Sequence, residues 1–139
     1  DYIVCLFDMD RLLQHPSEMN MYQRAKKQYS GKKYVGKVMF VETNPCTEFW
    51  FLLHFLPIVV CRRYENYEQL LPELQKYMPG YEKTKRYFIR TNLYKYLTEN
   101  GDLERAISNS EKLCQLCKES SEDLMAYSEI HKVIALLNN

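Results

Sequence analysis

The chain opens with a short apolar run, residues 2–7, that leads directly into Asp8 and Asp10. A run rich in β-forming residues that ends at a polar loop predicts a buried strand of a parallel sheet. Side chains two residues apart on a strand point to the same side. We therefore expect both carboxylates to reach the crevice beyond the carboxyl end of this strand, where open α/β sheets bind ligands.

Two carboxylates in that crevice predict a divalent cation, Mg²⁺ or Mn²⁺. Mg²⁺ takes one or two protein carboxylates and keeps water or phosphate oxygens as its other ligands. Such an ion activates water and stabilises charge on a phosphoryl group, so Asp8 and Asp10 are candidate metal ligands and candidate catalytic residues. The structural alternative is an Asp that caps the turn after the strand, but two at this spacing favour the metal.

The remaining sequence predicts an α/β fold with a parallel sheet core and a helical C-terminal part. A length of 139 residues fits a single domain, divided into a core over about residues 1–62 and a helical tail over about residues 63–139. Because the chain enters its first strand without an initiator Met, we expect upstream sequence to be missing and the N-terminal strand to be truncated. Residues 57–61 could be a strand or an extended segment. The predicted elements are strands at 2–7 and 37–42, and helices at about 16–29, 46–55, after Asn66, 84–99, after Asp102 and at 128–137.

Positive charge is concentrated in the middle of the chain. Residues 22–96 hold fourteen Lys and Arg against six acidic residues, whereas residues 97–139 hold four against eight. Tyrosines lie among the basic residues, and this mixture suits phosphates and stacked bases. The alternative is a pair of solvated helix faces. The candidate nucleic-acid-binding residues are Lys26, Lys27, Lys32, Lys33, Lys85, Arg86 and Arg90.

Five cysteines without a framework spacing indicate reduced thiols and a cytoplasmic protein. Cys114 and Cys117 form a CxxC motif, but no second motif supplies the other two ligands of a zinc site, so two small side chains packed on a helix are favoured. No apolar run approaches the roughly 20 residues that span a bilayer, so we expect no membrane partner. Assembly into a homo-oligomer stays open.

Two glutamates are candidate companions of the aspartates. Glu48 lies in a very apolar predicted helix, where an unpaired charge is costly. A third carboxylate of the catalytic metal site would explain it, and so would a salt bridge. Glu42 ends the second predicted strand and could face the same crevice as a metal ligand.

Residues 6–10, Leu-Phe-Asp-Met-Asp, resemble the nucleophile motif of haloacid-dehalogenase-like phosphatases. In that family the first Asp is phosphorylated and the second is an acid/base. The family also uses a later Ser or Thr, a Lys and a second acidic pair. Thr43 is the candidate hydroxyl residue, and Glu122-Asp123 is the only adjacent acidic pair after Asp10, although it follows no predicted strand. Arg11-Leu12 departs from the step that normally follows the motif.

A second resemblance covers nearly the whole chain. Residues 44–55, Asn-Pro-Cys-Thr-Glu-Phe-Trp-Phe-Leu-Leu-His-Phe, resemble the signature block of RloB-like proteins, and residues 7–10, 77–83 and 127–133 resemble further segments of that family in order. These proteins are found beside restriction–modification and abortive-infection genes. Thr47 departs from the usual Phe of the block.

The resemblance implies a TOPRIM-like (topoisomerase–primase) fold in which the Asp-x-Asp pair binds Mg²⁺. It implies nuclease-like activity in phage defence, commonly with a partner ATPase, and a catalytic role for Lys83 at a scissile phosphate. TOPRIM catalysis also uses a Glu on an earlier strand, which this chain begins too late to contain. A non-catalytic nucleic-acid-binding or regulatory subunit of a defence complex is therefore the alternative. The four glycines form no phosphate-binding loop, which disfavours ATP hydrolysis by this chain itself.

Overall fold

The computed structural model describes residues 1–120 and 125–139, and within them it contains three strands and eight helices. The fold is therefore α/β, as the sequence predicts. In chain order the elements are β1 (Ile3–Asp8), α1 (Met9–Gln14), α2 (Pro16–Tyr29), β2 (Val38–Asn44), α3 (Glu48–Leu53), α4 (Tyr67–Gln75), α5 (Lys85–Arg90), α6 (Leu93–Asn100), α7 (Leu103–Glu119), β3 (Tyr127–Ser128) and α8 (Ile130–Leu137).

The strands form one small open sheet in the order β1-β2-β3. β1 and β2 are parallel, with Phe7 opposite Glu42 and Asp8 opposite Thr43. β3 is antiparallel to β2, so the sheet is mixed: the prediction of a parallel sheet core holds for β1 and β2 but not for β3. A two-residue strand is too short to show a period, and its Ser128 had been predicted to begin the last helix.

The polypeptide turns into a helix immediately after β1. Asp8 is the last residue of the strand and Asp10 is the second residue of α1, so the expectation that both lie on one strand is wrong. The backbone N–H of Asp10 donates to the carbonyl of Pro45 at 2.9 Å. This bond ties the first turn of α1 to the segment that precedes α3.

Capping side chains set several helix boundaries. The side chains of Asn66 and Asp102 accept hydrogen bonds from the backbone N–H groups of α4 and α7, which confirms both predicted caps. The single helix predicted over residues 84–99 is instead α5 and α6. The backbone of Thr91 is extended and Asn92 caps α6, so a good N-cap interrupts the periodic pattern. Residues 57–61 form neither helix nor strand.

The main hydrophobic core surrounds α3, which packs against α4, α7 and the sheet. Leu52 and Leu53 of α3, Leu70 of α4 and Leu113 of α7 are almost completely buried there. A second, smaller cluster joins α1 and α2 to one face of the β1–β2 pair; its members are Met9, Leu12, Tyr22, Phe7, Met19 and Phe40. Within the described residues, none of the helices is both long and apolar enough to cross a membrane.

A close approach at the end of α6 gives a test of this packing. A Cβ on Gly101 would lie 2.8 Å from the Cβ of His54 and 2.9 Å from the carbonyl oxygen of Leu97. We expect Gly101→Ala to lower the free energy of unfolding by about 2 kcal/mol, measured by urea denaturation. Gly80→Ala is the control, because a Cβ there meets nothing within 4 Å, and it should change stability by no more than about 0.5 kcal/mol. Equal effects at the two positions would contradict the packing.

Candidate metal and active site

Asp8 is held at the carboxyl end of β1 by the residue that begins the turn into α3. Its Oδ1 accepts hydrogen bonds from the backbone N–H of Thr47 at 2.9 Å and from the Thr47 hydroxyl at 2.8 Å. Its Oδ2 lies 3.8 Å from the Nζ of Lys83. One carboxylate oxygen of Asp8 is thus fixed by Thr47, and the other faces the ammonium of Lys83.

The Thr47 hydroxyl is a testable part of this geometry. We expect Thr47→Val, which has nearly the same shape, to lower the free energy of unfolding by about 1 kcal/mol because Asp8 loses one of two donors. Thr47→Ser retains a hydroxyl and should stay close to the parent protein in thermal and urea denaturation. If Thr47→Val and Thr47→Ser are equally stable, the hydroxyl contributes nothing to holding Asp8.

Asp10 reaches the same group of charges from α1. Partial burial raises the pKa of Asp10 above its ordinary value of 3.8, and the negative charges of Asp8 and Glu48 raise it further. The backbone N–H of Arg11 and the ammonium of Lys83 act in the opposite direction but do not outweigh them. Asp10 therefore lies close enough to Asp8 and Glu48 for their negative charges to raise its pKa.

Glu48, the first residue of α3, is only 3% exposed. Its Oε1 accepts a hydrogen bond from the hydroxyl of Tyr81 at 2.9 Å and lies 3.2 Å from the Nζ of Lys83. Of the two explanations for this buried acid, the structure shows the salt bridge. Glu48 has a salt bridge, and the lysine that makes it also faces Asp8.

Lys83 links the two carboxylates from the loop before α5. Its side chain is 46% exposed, and its ammonium lies 5.1 Å from the centre of the Tyr67 ring. Burial lowers the pKa of Lys83, but the negative charges of Glu48 and Asp8 outweigh it and the pKa lies above the ordinary value of 10.5. Lys83 is thus a protonated, half-exposed group beside two acids.

Of these four side chains, the carboxylates of Asp8 and Asp10 are the ones that could hold a hard divalent cation. Three formal negative charges face one formal positive charge, and Asp8 Oδ2 is the oxygen not engaged by Thr47. Among residues 1–120 and 125–139, no group of three or more His, Cys, Asp or Glu side chains is placed to hold a metal ion. Mg²⁺ does not require such a group, since it binds through one or two carboxylates and keeps several waters. Asp8 and Asp10 are the pair that fits this mode.

Glu42 lies on the other face of the sheet. Successive residues of a strand point to opposite faces, and Glu42 is opposite Phe7, whereas Asp8 is opposite Thr43. The Glu42 carboxylate accepts hydrogen bonds from Tyr22 and Lys26 of α2 and from Tyr127 of β3. The structure therefore separates Glu42 from the aspartates with which it was predicted to share a metal.

The Glu42 contacts predict a pH dependence of stability. Burial alone would raise the pKa of Glu42, but hydrogen bonds from Tyr22, Tyr127 and Lys26 outweigh it and hold the pKa below its ordinary 4.5. The stability this carboxylate contributes is therefore complete above pH 4.5 and is lost as the pH falls through the lower folded-state pKa. We expect Glu42→Gln to cost about 2 kcal/mol at pH 7 and the difference to narrow in acid. A difference that stays constant down to acid unfolding would contradict this assignment.

A cavity of about 610 Å³ lies beside Glu42 rather than beside Asp8. Its lining includes Tyr127, Cys114 and the ion pair of Glu129 with Lys132. The thiol of Cys114 donates to the carbonyl of Ser128 at 3.1 Å, and burial raises the pKa of this thiol to about 11. Cys114 is therefore a structural thiol rather than a reactive one.

The predicted nucleic-acid-binding residues occupy two separate surfaces. Those of the first run lie on α2 and the turn after it, and Lys26 is paired with Glu42 at 3.0 Å on the face away from Asp8. Those of the second run lie on α5, which begins two residues after Lys83. Of the two runs, the second is the one next to Lys83, which contacts Asp8 and Glu48. The exposed members are Lys27, Lys32, Lys33, Lys85, Arg86 and Arg90.

Sequence reasoning missed two residues that shape the site. Tyr81 lies in the segment 77–83 that carried a family resemblance, and its position two residues before Lys83 was the available signal. Thr47 was noted only as a departure from the family block.

The phosphatase interpretation gains no support, because Thr43 is buried and bonded to Ser128. Glu122-Asp123, its predicted acidic pair, lies outside the described residues.

Comparison with known proteins bears on this site through a single family model. Searches of curated proteins and of solved structures found no match. The model for the RloB-like protein matches residues 1–137, nearly the whole chain. That match includes Asp8, Asp10, Glu48 and Lys83 together with the elements that position them. The chain therefore belongs to the RloB-like protein family.

Proposed function

We propose that this chain is a Mg²⁺-dependent nuclease domain with a TOPRIM-like active site, acting on nucleic acid in phage defence together with a partner ATPase. One observation carries the proposal. Asp8, Asp10, Glu48 and Lys83 come from three separate parts of the chain, residues 8–10, 48 and 83, and lie near one another at the carboxyl end of β1. A charge cluster assembled over such sequence distances is more typical of a functional site than of a surface salt bridge. The defence role follows the family's genetic neighbourhood.

Asp8 and Asp10 would hold the ion, which when bound would lower the pKa of a water and stabilise charge on the phosphoryl group. Lys83, half exposed and protonated, would donate hydrogen bonds to a phosphate oxygen of the substrate. Glu48 is too deeply buried to reach a polynucleotide. We therefore assign it as a positioning residue, which with Tyr81 holds the ammonium of Lys83 beside Asp8.

A non-catalytic nucleic-acid-binding or regulatory subunit is the second candidate. It is favoured by the same lysine, because a protonated Lys83 already gives Asp8 and Glu48 a shared cationic partner without a metal. The two candidates differ in one property: a nuclease breaks phosphodiester bonds when Mg²⁺ or Mn²⁺ is added, and a binding subunit does not.

The test is to incubate the protein with plasmid DNA and with tRNA, adding Mg²⁺ or Mn²⁺ in one arm and a chelator in the other. Metal-dependent cleavage of either substrate is the expected result. Binding without cleavage in both arms would favour the binding subunit. Turnover of a small phosphomonoester, with neither polynucleotide cleaved, would favour a phosphatase and overturn the proposal.

A further inference from the structure

α5 exposes an unusual mixture of apolar and basic side chains for a helix of six residues. Tyr87 is buried and anchors the helix, whereas Phe88 is 44% exposed and Ile89 is 74% exposed. Lys85 is three residues before Phe88 and four before Ile89, so these three share one side of the helix. Arg86 and Arg90, one turn apart, flank it and are also exposed. The outward side of α5 is therefore an apolar strip bordered by positive charge.

This strip is connected to the carboxylates by direct contacts. The Phe88 ring packs edge-to-face against Tyr81, with ring centres 6.2 Å apart. The hydroxyl of Tyr81 donates to Glu48, which holds Lys83. Only Thr84, which caps α5 by accepting from the N–H of Tyr87, separates Lys83 from the helix. α5 and the cluster that contains Asp8 therefore lie next to the same two residues, Tyr81 and Lys83.

The other basic run lacks this connection. α2 packs on the face of the sheet that carries Phe7 and Phe40, opposite to the side chain of Asp8. Tyr29, the last residue of α2, contacts Tyr34 and does not reach the site through any ring contact in the described residues. The two runs have similar composition, so their position relative to the carboxylates distinguishes them.

We propose that α5 binds single-stranded nucleic acid, with a base stacked on Phe88 and Ile89 and neighbouring phosphates held by Lys85, Arg86 and Arg90. The strand specificity follows from chemistry: an exposed ring can stack only on a base whose face is free, and a duplex hides those faces. Binding to the phosphates of a duplex would need the basic side chains of α5 but not the Phe88 ring. The inference rests on the proposed function only in taking the carboxylate cluster as the reacting end of the site.

Binding can be measured without catalysis, by fluorescence anisotropy in chelator with labelled single-stranded and double-stranded oligonucleotides of DNA and RNA. We expect the parent protein to prefer single strands. Phe88→Leu, which keeps apolar packing but removes the aromatic face, should weaken single-strand binding about tenfold and leave duplex binding within about twofold. Phe88→Trp, which keeps an aromatic face, should bind single strands as tightly as the parent protein. Circular dichroism and thermal unfolding of each variant check the fold.

Matched charge variants test the location. Replacing Lys85 and Arg86 with serine should weaken binding about tenfold at low salt, whereas replacing Lys32 and Lys33 with serine should change it by less than about twofold. Tyr29→Ala should have no effect. The inference is overturned if Phe88→Leu binds single strands like the parent, if the Lys32/Lys33 pair matters as much as the Lys85/Arg86 pair, or if the protein prefers duplex or binds neither. If binding follows the expected pattern but no metal-dependent cleavage occurs, the nuclease proposal fails and this one stands.

Discussion

Replacing Asp8 and Asp10 together by asparagine is expected to reduce metal-dependent cleavage by about a thousandfold or more while leaving the protein folded. Asparagine has nearly the same shape as aspartate and retains a carbonyl oxygen that can accept the hydrogen bonds from Thr47. The variant therefore removes the negative charge that would bind the cation and little else. Cleavage of plasmid DNA and tRNA, followed on gels over several enzyme concentrations, is the measurement.

Glu42→Gln is the matched control for this loss. Glu42 is also a partly buried carboxylate at the end of a strand, but it lies on the opposite face of the sheet and contacts Tyr22, Lys26 and Tyr127. It should retain cleavage at temperatures where it is folded. Two results would contradict the site assignment. One is cleavage that persists in the double asparagine variant, and the other is an equal loss of cleavage in folded Glu42→Gln protein.

The second large effect is expected when Lys83 is removed. Lys83→Met keeps the aliphatic stem but leaves the buried carboxylate of Glu48 without its cation. An uncompensated buried charge is strongly destabilising, and because half of Lys83 is exposed to water we expect about 2 kcal/mol, below the range for fully buried pairs. Lys83→Met should also lose cleavage, since no ammonium remains to contact the phosphate. Urea denaturation and the cleavage assay measure the two effects separately.

A double variant separates charge balance from chemistry at this position. Adding Glu48→Gln to Lys83→Met removes the unpaired charge, and Gln can still accept from Tyr81, so much of the lost stability should return. Cleavage should not return with it. If stability stays low in the double variant, the cost of Lys83→Met comes from the lost contact of the ammonium with the Tyr67 ring rather than from the buried charge.

Local pattern was sufficient for the positions of β1, α3, α4 and α7 because each depends on neighbouring residues. The prediction that β1 is buried is wrong, since Ile3 and Leu6 are more than half exposed. Local pattern also selected Asp8, Asp10 and Glu48, which the structure places near one another, whereas Lys83 was selected by the family resemblance and the route to Asp10 was incorrect. Asp10 was placed on the strand with Asp8, but it reaches the cluster from α1 because the chain turns at once and its N–H binds Pro45. A helix that begins directly after a strand leaves no gap in the sequence pattern to mark it.

The errors came from features that a local pattern does not contain. Glu42 was assigned to the crevice by its closeness to a strand end, but a difference of one residue in strand position changes the face. Thr47 is 39 residues from its partner Asp8, and Tyr81 is 33 residues from its partner Glu48. No periodicity in the sequence links residues that far apart. The break between α5 and α6 depended on a cap, Asn92, inside an otherwise continuous helical pattern.

The central claim is that Asp8 and Asp10 bind a divalent cation, and Mn²⁺ binding followed by electron paramagnetic resonance tests it without any substrate. We predict one Mn²⁺ site in the parent protein and in Glu42→Gln, displaced by excess Mg²⁺, and its loss when both aspartates are replaced by asparagine. Unchanged Mn²⁺ binding by the double asparagine variant, or no Mn²⁺ bound by the parent protein, would contradict the account.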